Sequence, residues 1–245
     1  MDAMILTMYI IVLVYFLLGF IAFYFINQKK EPHESRKSWI KTITYFFIIN
    51  IVFFSIAINP LVFRYLAVII IIAGFIELFK LFRESGYKLK LLFTLSIIVL
   101  TIFSFGFFIY SGFEKGLILF AFMILSIFDS FSQITGEIFG RKKLFPKISP
   151  QKTVEGLIGG TIVAIMSALL LRSLIPAAPL KAMLLAAGVV FFAFIGDFFK
   201  SYYKRKYNVK DFSNLIPENG GFLDRFDSLI AGGAFIGILG LSIHL

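Results

Sequence analysis

The stretch AMILTMYIIVLVYFLLGFIAFYFI, residues 3–26, contains no charged side chain. A helix needs roughly 20 apolar residues to cross the hydrocarbon core of a bilayer, and this stretch supplies them. It is too long for the apolar core of a signal peptide, and it lacks a preceding basic segment and a small-residue cleavage motif. We therefore expect a transmembrane helix that is not cleaved off, and a fold built from membrane-spanning segments.

Apolar runs of similar length recur along the whole chain of 245 residues. Hydrophobic residues make up 59% of the sequence and charged residues 16%, which is far from the composition of a water-soluble domain. The pattern predicts an all-α polytopic protein with about eight transmembrane helices. The predicted spans are 3–26, 39–59, 61–82, 91–111, 117–139, 154–175, 180–200 and 228–245.

The basic residues are distributed unevenly between the two sides of the predicted bundle. The chain carries a net charge of +10, and 20 of its 24 Lys and Arg residues lie in the connections after the first, third, fifth and seventh helices. Positive charge marks cytoplasmic loops, so we expect a multi-pass protein of the cell (inner) membrane with both termini outside. This distribution explains the basic charge without nucleic acid as a partner.

Cysteine is absent, and the only histidines are His33 and His244. Disulfides and thiolate metal ligands are therefore excluded, and a histidine-bound zinc site is not expected. Any metal site would have to use oxygen ligands, which favour a hard cation such as magnesium.

The sequence divides into an N-terminal four-helix transmembrane region, 1–116, and a C-terminal catalytic transmembrane region with cytoplasmic loops, 117–245. In the first region only Glu77 suggests chemistry. We interpret it as an interfacial carboxylate paired with Lys80, with contact to a ligand as the alternative.

The second region places polar side chains inside apolar helices. Asp129, Ser132 and Gln133 share one helical face, and an ionised Asp at the centre of a membrane helix costs roughly 3 kcal/mol unless it has a partner. Farther on, Pro150 stands where a helix is predicted to begin. Free backbone N–H groups at that point, with nearby hydroxyls and a lysine, suit a phosphate. The candidate residues there are Ser149, Lys152, Thr153 and Glu155.

A third polar segment runs from Gly196 to Asp227. Its first residues, Asp197, Ser201 and Lys204 or Arg205, lie on one face of a helix end. Asp224 and Asp227 follow at i,i+3 spacing, so both carboxylates point the same way from the start of the last helix. Converging carboxylates beside basic residues predict a magnesium and phosphate site, and a salt-bridge network at the membrane boundary is the alternative.

These residues resemble the signature of the phosphatidate cytidylyltransferases, also called CDP-diacylglycerol synthases. The match extends without a gap over Ser201, Lys204, Arg205, Lys210, Asp211, Gly220, Gly221, Asp224, Arg225 and Asp227. The segment Ser149-Pro-x-Lys-Thr-x-Glu-Gly156, the pair Gly196-Asp197 and Asp129 are similar to the same family. Two positions depart from its pattern: Asn219 replaces a usual histidine, and Lys200 replaces a common glutamate.

The resemblance implies transfer of CMP from CTP to phosphatidate or a related lipid phosphate, giving CDP-diacylglycerol and pyrophosphate in phospholipid biosynthesis. It implies Mg²⁺, as one or two ions, with Asp197 and Asp224 as ligands and Asp227 in support. Ser201, Lys204 and Arg205 complete the implied catalytic set by holding phosphates. The implied substrate-binding residues are Asp129, Ser149, Lys152, Thr153, Glu155, Lys210, Asp211, Asn219, Gly220, Gly221 and Arg225.

The remaining expectations concern partners and competing functions. Membrane lipids are expected partners beside CTP, and a homodimer is left open. Lys200 is expected to alter metal number or headgroup preference. The competing functions are a CTP-dependent lipid kinase, a CDP-lipid synthase for an isoprenoid phosphate, an ion-coupled transporter and an inactive relative.

Overall fold

The structure is a computed structural model that describes residues 3–213, 215–216 and 220–243. Its helices are α1 (Ala3–Asn27), α2 (Pro32–Ile58), α3 (Pro60–Glu84), α4 (Lys90–Tyr110), α5 (Lys115–Phe139), α6 (Val154–Leu171), α7 (Pro179–Lys206) and α8 (Phe222–Ile243). Within the described ranges, α1 to α7 are long and apolar enough to cross a membrane. The prediction of an all-α polytopic membrane protein is confirmed, while the division at residue 116 stays a prediction.

Three helix ends lie six or seven residues outside the apolar runs in the sequence, while α6 ends at Leu171, before the predicted 175. α2 begins at Pro32 instead of 39, and α7 continues to Lys206 instead of 200. α8 begins at Phe222 instead of 228. Each of these three helices continues past its apolar run into polar and charged residues. Hydropathy marks the apolar segment of a helix and does not show where the helix itself begins or ends. Consequently the predicted site residues of α7 and α8 are helical.

Helix α5 lies at the centre of the bundle. Its residues from Ile118 to Leu125 are all nearly inaccessible to solvent, and it packs against α1, α2, α6, α7 and α8. The Tyr110 hydroxyl at the end of α4 donates a 2.7 Å hydrogen bond to the carbonyl of Ile118. Because α5 contacts most of the other helices, a polar group on it is positioned by its neighbours on several sides.

Small residues bring α4 and α8 into close contact. A side chain on Gly106 would place its Cβ 2.8 Å from the carbonyl oxygen of Ala234, and Gly237 faces Gly106 across the same interface. Such contacts drive helix association in membranes, where packing replaces the hydrophobic effect. α8 is thereby held against the N-terminal helices as well as against α7.

A short β-hairpin occupies the connection between α5 and α6. Strands β1 (Lys143–Phe145) and β2 (Ser149–Thr153) pair in antiparallel register, Lys143 with Thr153 and Phe145 with Ser149. The predicted helix start at Pro150 is wrong, since Pro150 lies within β2. α6 begins at Val154, and the Thr153 hydroxyl accepts a 3.1 Å hydrogen bond from the Gly156 N–H as its N-cap.

Candidate active site

A cavity of about 1300 Å³ brings most of the predicted site residues together. α1, α2, α5, the hairpin, α7 and the start of α8 all contribute to its wall. The predicted residues that line it are Asp129, Ser149, Lys152, Thr153, Asp197, Ser201, Lys204, Arg205, Lys210, Asp211, Asp224, Arg225 and Asp227. Glu155, Gly220 and Gly221 lie outside its lining, and Asn219 lies outside the described residues.

Lys200 connects two of the predicted metal ligands. Its ammonium lies 3.0 Å from Asp197 Oδ1 and 2.9 Å from Asp227 Oδ1. It also donates a 3.2 Å hydrogen bond to the backbone carbonyl of Asp224. The other oxygen of Asp197 forms an ion pair with Lys152. The carboxylates on α7 and α8 are therefore joined through a lysine that the sequence identified only as a departure from the family pattern.

Asp224 is held differently from the other two carboxylates. Its Oδ1 pairs with the Lys204 ammonium, and its Oδ2 accepts N–H bonds from Phe212 at 2.8 Å and Gly221 at 2.9 Å. The bond from Gly221 follows the capping-box pattern, in which the third residue of a helix satisfies the N–H of its N-cap. Asp224 thus fixes the segment before α8 as well as facing the cavity.

Glu77 caps α8 from the opposite half of the chain. Its carboxylate accepts hydrogen bonds from the N–H groups of Phe222 at 3.0 Å and Leu223 at 2.8 Å, and from the Ser213 hydroxyl at 2.7 Å. The predicted pairing with Lys80 is wrong, because Lys80 faces Glu84 at 3.8 Å. Glu77 is 3% exposed, and the free N–H groups of a helix N-terminus favour a carboxylate at that position.

The two glycines before α8 allow this arrangement. Gly220 has φ +80°, and a Cβ there would lie 2.6 Å from Asp224 Oδ2. A Cβ on Gly221 would collide with the Glu77 carboxylate. Both residues are therefore required for the path of the backbone, and the structure places neither in the cavity wall.

The polar stripe predicted on α5 faces the same cavity. Asp129, Ser132 and Gln133 all line it. Asp129 makes no ion pair with the described residues, but its electrostatic neighbours include Asp197, Asp227, Lys152 and Lys200. Gln133 donates a 2.9 Å hydrogen bond to Glu137. Asp129 therefore adds a third carboxylate close to the Asp197–Lys200–Asp227 group.

The hairpin and α7 are held together by side-chain to backbone hydrogen bonds. Arg205 donates from Nε to the Ile148 carbonyl at 3.0 Å and from Nη1 to the Val209 carbonyl at 2.8 Å. Glu155 accepts the N–H groups of Arg141 at 3.1 Å and Lys142 at 3.2 Å. These bonds hold Lys152 of the hairpin beside Asp197 of α7.

Sequence reasoning missed the N-terminal wall of the cavity. The wall consists of aromatic and aliphatic side chains of α1 and α2, among them Tyr15, Phe16 and Ile49, together with Lys41. Lys41 was assigned to the basic loops only, although its position in the first half of α2 directs it toward the site. Among the described lining residues, eleven are basic and six acidic. A cavity with this excess of positive charge suits a polyanion.

The donor atoms present fit a magnesium ion at the Asp197–Asp227 side of the cavity. Carboxylate oxygens are suitable ligands for it, and Asp227 Oδ2 is buried without a hydrogen-bond partner among the described residues. Asp224 fits less well, because protein groups occupy both of its oxygens. Over the described part of the chain, no three acidic or histidine side chains cluster closely enough to form a ready-made metal site.

Comparison with known proteins adds a family relationship to this geometry. A sequence model described as the cytidylyltransferase family matches residues 92–242. A phosphatidate cytidylyltransferase of Aquifex aeolicus (strain VF5) is 45% identical over 102 residues, which are 42% of this chain and 38% of the relative. Proteins of the same name match from Bacillus subtilis (strain 168), at 37% identity over 115 residues, and Rickettsia bellii (strain RML369-C), at 42% over 123 residues.

These matches involve only part of each relative. The aligned region is 46% of this chain in both of the latter cases, and 43% and 53% of the respective relatives. The chain thus spans about half, or less, of the length of the curated relatives that it matches. The family model extends from α4 almost to the end of α8, so it includes the hairpin, α7 and the carboxylates described above.

Proposed function

The chain belongs to the cytidylyltransferase family, and on that premise we propose that it transfers CMP from CTP to phosphatidate. The products of this reaction are CDP-diacylglycerol and pyrophosphate. The observation that carries the proposal is the cavity itself, which combines apolar helices with eleven basic side chains around a group of carboxylates. A lipid phosphate and a nucleoside triphosphate require this combination of surfaces in one place.

The reaction makes modest demands on acid–base chemistry. An oxygen of the lipid phosphate attacks the α-phosphorus of CTP, and a P–O bond forms as the bond to the bridging oxygen of pyrophosphate breaks. The attacking oxygen is already anionic near neutral pH, so positioning and charge neutralisation are the main requirements. This chemistry does not require a proton transfer by the histidine that Asn219 replaces.

The basic residues of the cavity supply the neutralisation in this proposal. Lys152 and Lys204 each form an ion pair with one carboxylate and keep protons for phosphate oxygens. Lys210 and Arg225 line the same cavity. Because the cavity wall continues onto Ser149 and Ser201, phosphate groups have hydroxyl donors beside the cationic ones.

We assign Mg²⁺ to Asp197 and Asp227, with Asp224 holding Lys204 and the start of α8. The buried Asp227 Oδ2, which has no hydrogen-bond partner among the described residues, supports this assignment over the expected one, in which Asp197 and Asp224 were the ligands and Asp227 was in support. A bound Mg²⁺ would stabilise the charge that builds up on the phosphates. Asp129 lines the same cavity and is an electrostatic neighbour of Asp197 and Asp227, so its carboxyl group is available near the ion.

We further propose that the cavity is on the cytoplasmic face, where CTP is available, and that both termini lie outside. The uneven distribution of Lys and Arg supports this orientation. Self-association as a homodimer stays a prediction from the sequence.

The decisive experiment supplies purified protein with CTP, Mg²⁺ and phosphatidate and identifies both products. We expect CDP-diacylglycerol and pyrophosphate in equal amounts. Asp227→Asn is the matched variant, since it keeps the shape of the side chain and removes its charge, and it should lose at least about 100-fold in turnover.

Two results would contradict the proposal. A protein that converts CTP to CDP while phosphorylating a lipid alcohol would be a kinase. A protein that uses an isoprenoid phosphate and leaves phosphatidate unchanged would be a synthase of another CDP-lipid. Running the assay over several lipid phosphates and alcohols separates these cases.

A further inference from the structure

Lys200 has all three of its ammonium protons engaged by the protein. Its acceptors are Asp197 Oδ1 at 3.0 Å, Asp227 Oδ1 at 2.9 Å and the Asp224 carbonyl at 3.2 Å. A lysine ammonium has three donors and no acceptor. Lys200 therefore has no proton left for a substrate phosphate, which separates it from Lys152 and Lys204 in the same cavity.

The position of this ammonium is that of a cation bridging two carboxylates. Asp197 comes from α7 and Asp227 from α8, and the Lys200 side chain, which is only 11% exposed, lies between them. Two carboxylates that both lie about 3 Å from one ammonium would repel each other without a cation between them. A lysine ammonium is a compact point charge and meets that need without a metal ion.

The remaining oxygens show how much room is left for a metal. Both Oδ2 atoms are buried without a hydrogen bond from the described residues, but Asp197 Oδ2 forms an ion pair with Lys152, whereas Asp227 Oδ2 forms no ion pair with them. One side of the carboxylate pair is thus occupied by lysine, and the other side has an oxygen with no partner among the described residues. The carboxylate pair therefore has room for one divalent ion, and a second ion would compete directly with Lys200 for the same oxygens.

We propose that Lys200 is a built-in cation that replaces one divalent metal ion between Asp197 and Asp227, so that the protein binds a single divalent ion at these carboxylates. The inference rests on the proposed function only for the identity of the reaction that this ion serves. It makes Lys200 a positioning residue, which holds α7 and α8 together through their carboxylates and sets the metal number.

Metal stoichiometry tests the inference directly. We would titrate the full-length protein in detergent with Mn²⁺, without nucleotide or lipid, and count bound ions by electron paramagnetic resonance. The wild-type protein should bind one ion. Lys200→Met, which keeps a linear side chain and removes the charge, should bind two, because the vacated position between the carboxylates becomes a metal site.

Two further variants control this measurement. Lys200→Arg retains a cation and should bind one ion, as the wild-type protein does. Lys206 is on the exposed side of α7, where its ammonium lies 5.2 Å from the centre of the Tyr202 ring. The Lys206→Met variant should therefore also bind one ion. Mn²⁺ should also raise the thermal midpoint of Lys200→Met more than that of the wild-type protein, since a ligand that binds only the folded state stabilises it.

The inference is overturned if the wild-type protein binds two ions, or if Lys200→Met still binds one. The wild-type result decides even if Lys200→Met fails to fold. Since no substrate is present, the titration is independent of the product assay. A protein that binds one ion but makes no CDP-diacylglycerol refutes the proposed function alone, and one that makes it while binding two ions refutes only the role of Lys200.

Discussion

The lysines of the cavity differ in how many of their protons the protein already uses. Lys200 uses three, and Lys152 and Lys204 pair with one carboxylate each. Lys41 makes no ion pair with the described residues, although it lines the cavity among other cations such as Arg225 and Lys200. Its electrostatic neighbours are three cations and one carboxylate, Glu137, so an anionic ligand would relieve the repulsion around Lys41.

We predict that Lys41→Met weakens binding of the lipid phosphate and leaves CTP binding unchanged. Lys41 stands in the same wall as the apolar residues of α1 and α2, where the acyl chains would lie. Loss of one phosphate contact worth about 1.4 kcal/mol raises the KM for phosphatidate about tenfold. Steady-state kinetics with each substrate varied in turn measures both constants.

Lys80→Met provides the comparison, because Lys80 is exposed and faces Glu84 away from the cavity lining. Its kinetics should equal those of the wild-type protein. If Lys41→Met raises both KM values equally, or changes neither, then Lys41 does not bind the lipid phosphate.

At the scale of elements, the start of α8 depends on a carboxylate from α3. Glu77 accepts two backbone N–H groups there, and Asp224 accepts the N–H of Gly221. Three N–H groups at the N-terminus of α8 are thus satisfied by side chains. The orientation of Asp227, one turn farther along, follows from this anchoring.

We predict that Glu77→Ala lowers the thermal stability of the protein more than Glu77→Gln does. Alanine leaves the buried N–H of Leu223 and the partly buried donors of Phe222 and Ser213 unpaired, which costs about 2 kcal/mol, whereas glutamine keeps one acceptor oxygen. Thermal unfolding in detergent gives the order of stability. Glu84→Ala, on the exposed end of the same helix, should match the wild-type protein. Equal midpoints for all four proteins would show that the cap contributes nothing.

The membrane helices could be predicted from the sequence because each is a long apolar run. The hairpin of residues 143–153 could not, since its two strands are short and pair with each other instead of joining a larger sheet. Among the site residues, Asp197, Asp224 and Asp227 were found through spacing and family pattern. Glu77 was misassigned, because its partners Phe222 and Leu223 lie about 145 positions away in the chain. Local spacing carries no information about such a contact.

At the scale of the whole molecule, the absence of cysteine makes the orientation in the membrane easy to test. We predict that a cysteine at Lys88 reacts with a membrane-impermeant thiol reagent only from the cytoplasmic side. Cysteines at Glu114 and Ala178, in connections on the other face, should react from outside. Labelling of intact cells and inverted vesicles distinguishes the two sides. Reaction of all three cysteines from one side would refute the orientation and the cytoplasmic site.

The contact of α8 with α3 and α4 also has a consequence for biosynthesis. The first two turns of α8 carry Asp224, Arg225 and Asp227, which are unfavourable in the hydrocarbon core unless they find partners. The ribosome delivers α3 and α4 first, so Glu77 and Gly106 are in place before α8 emerges. We expect α8 to leave the translocon by docking onto these earlier helices. The carboxylate group would then assemble only when the helix bundle is complete. A nascent chain arrested before α8 would lack Asp224 and Asp227 and would be inactive.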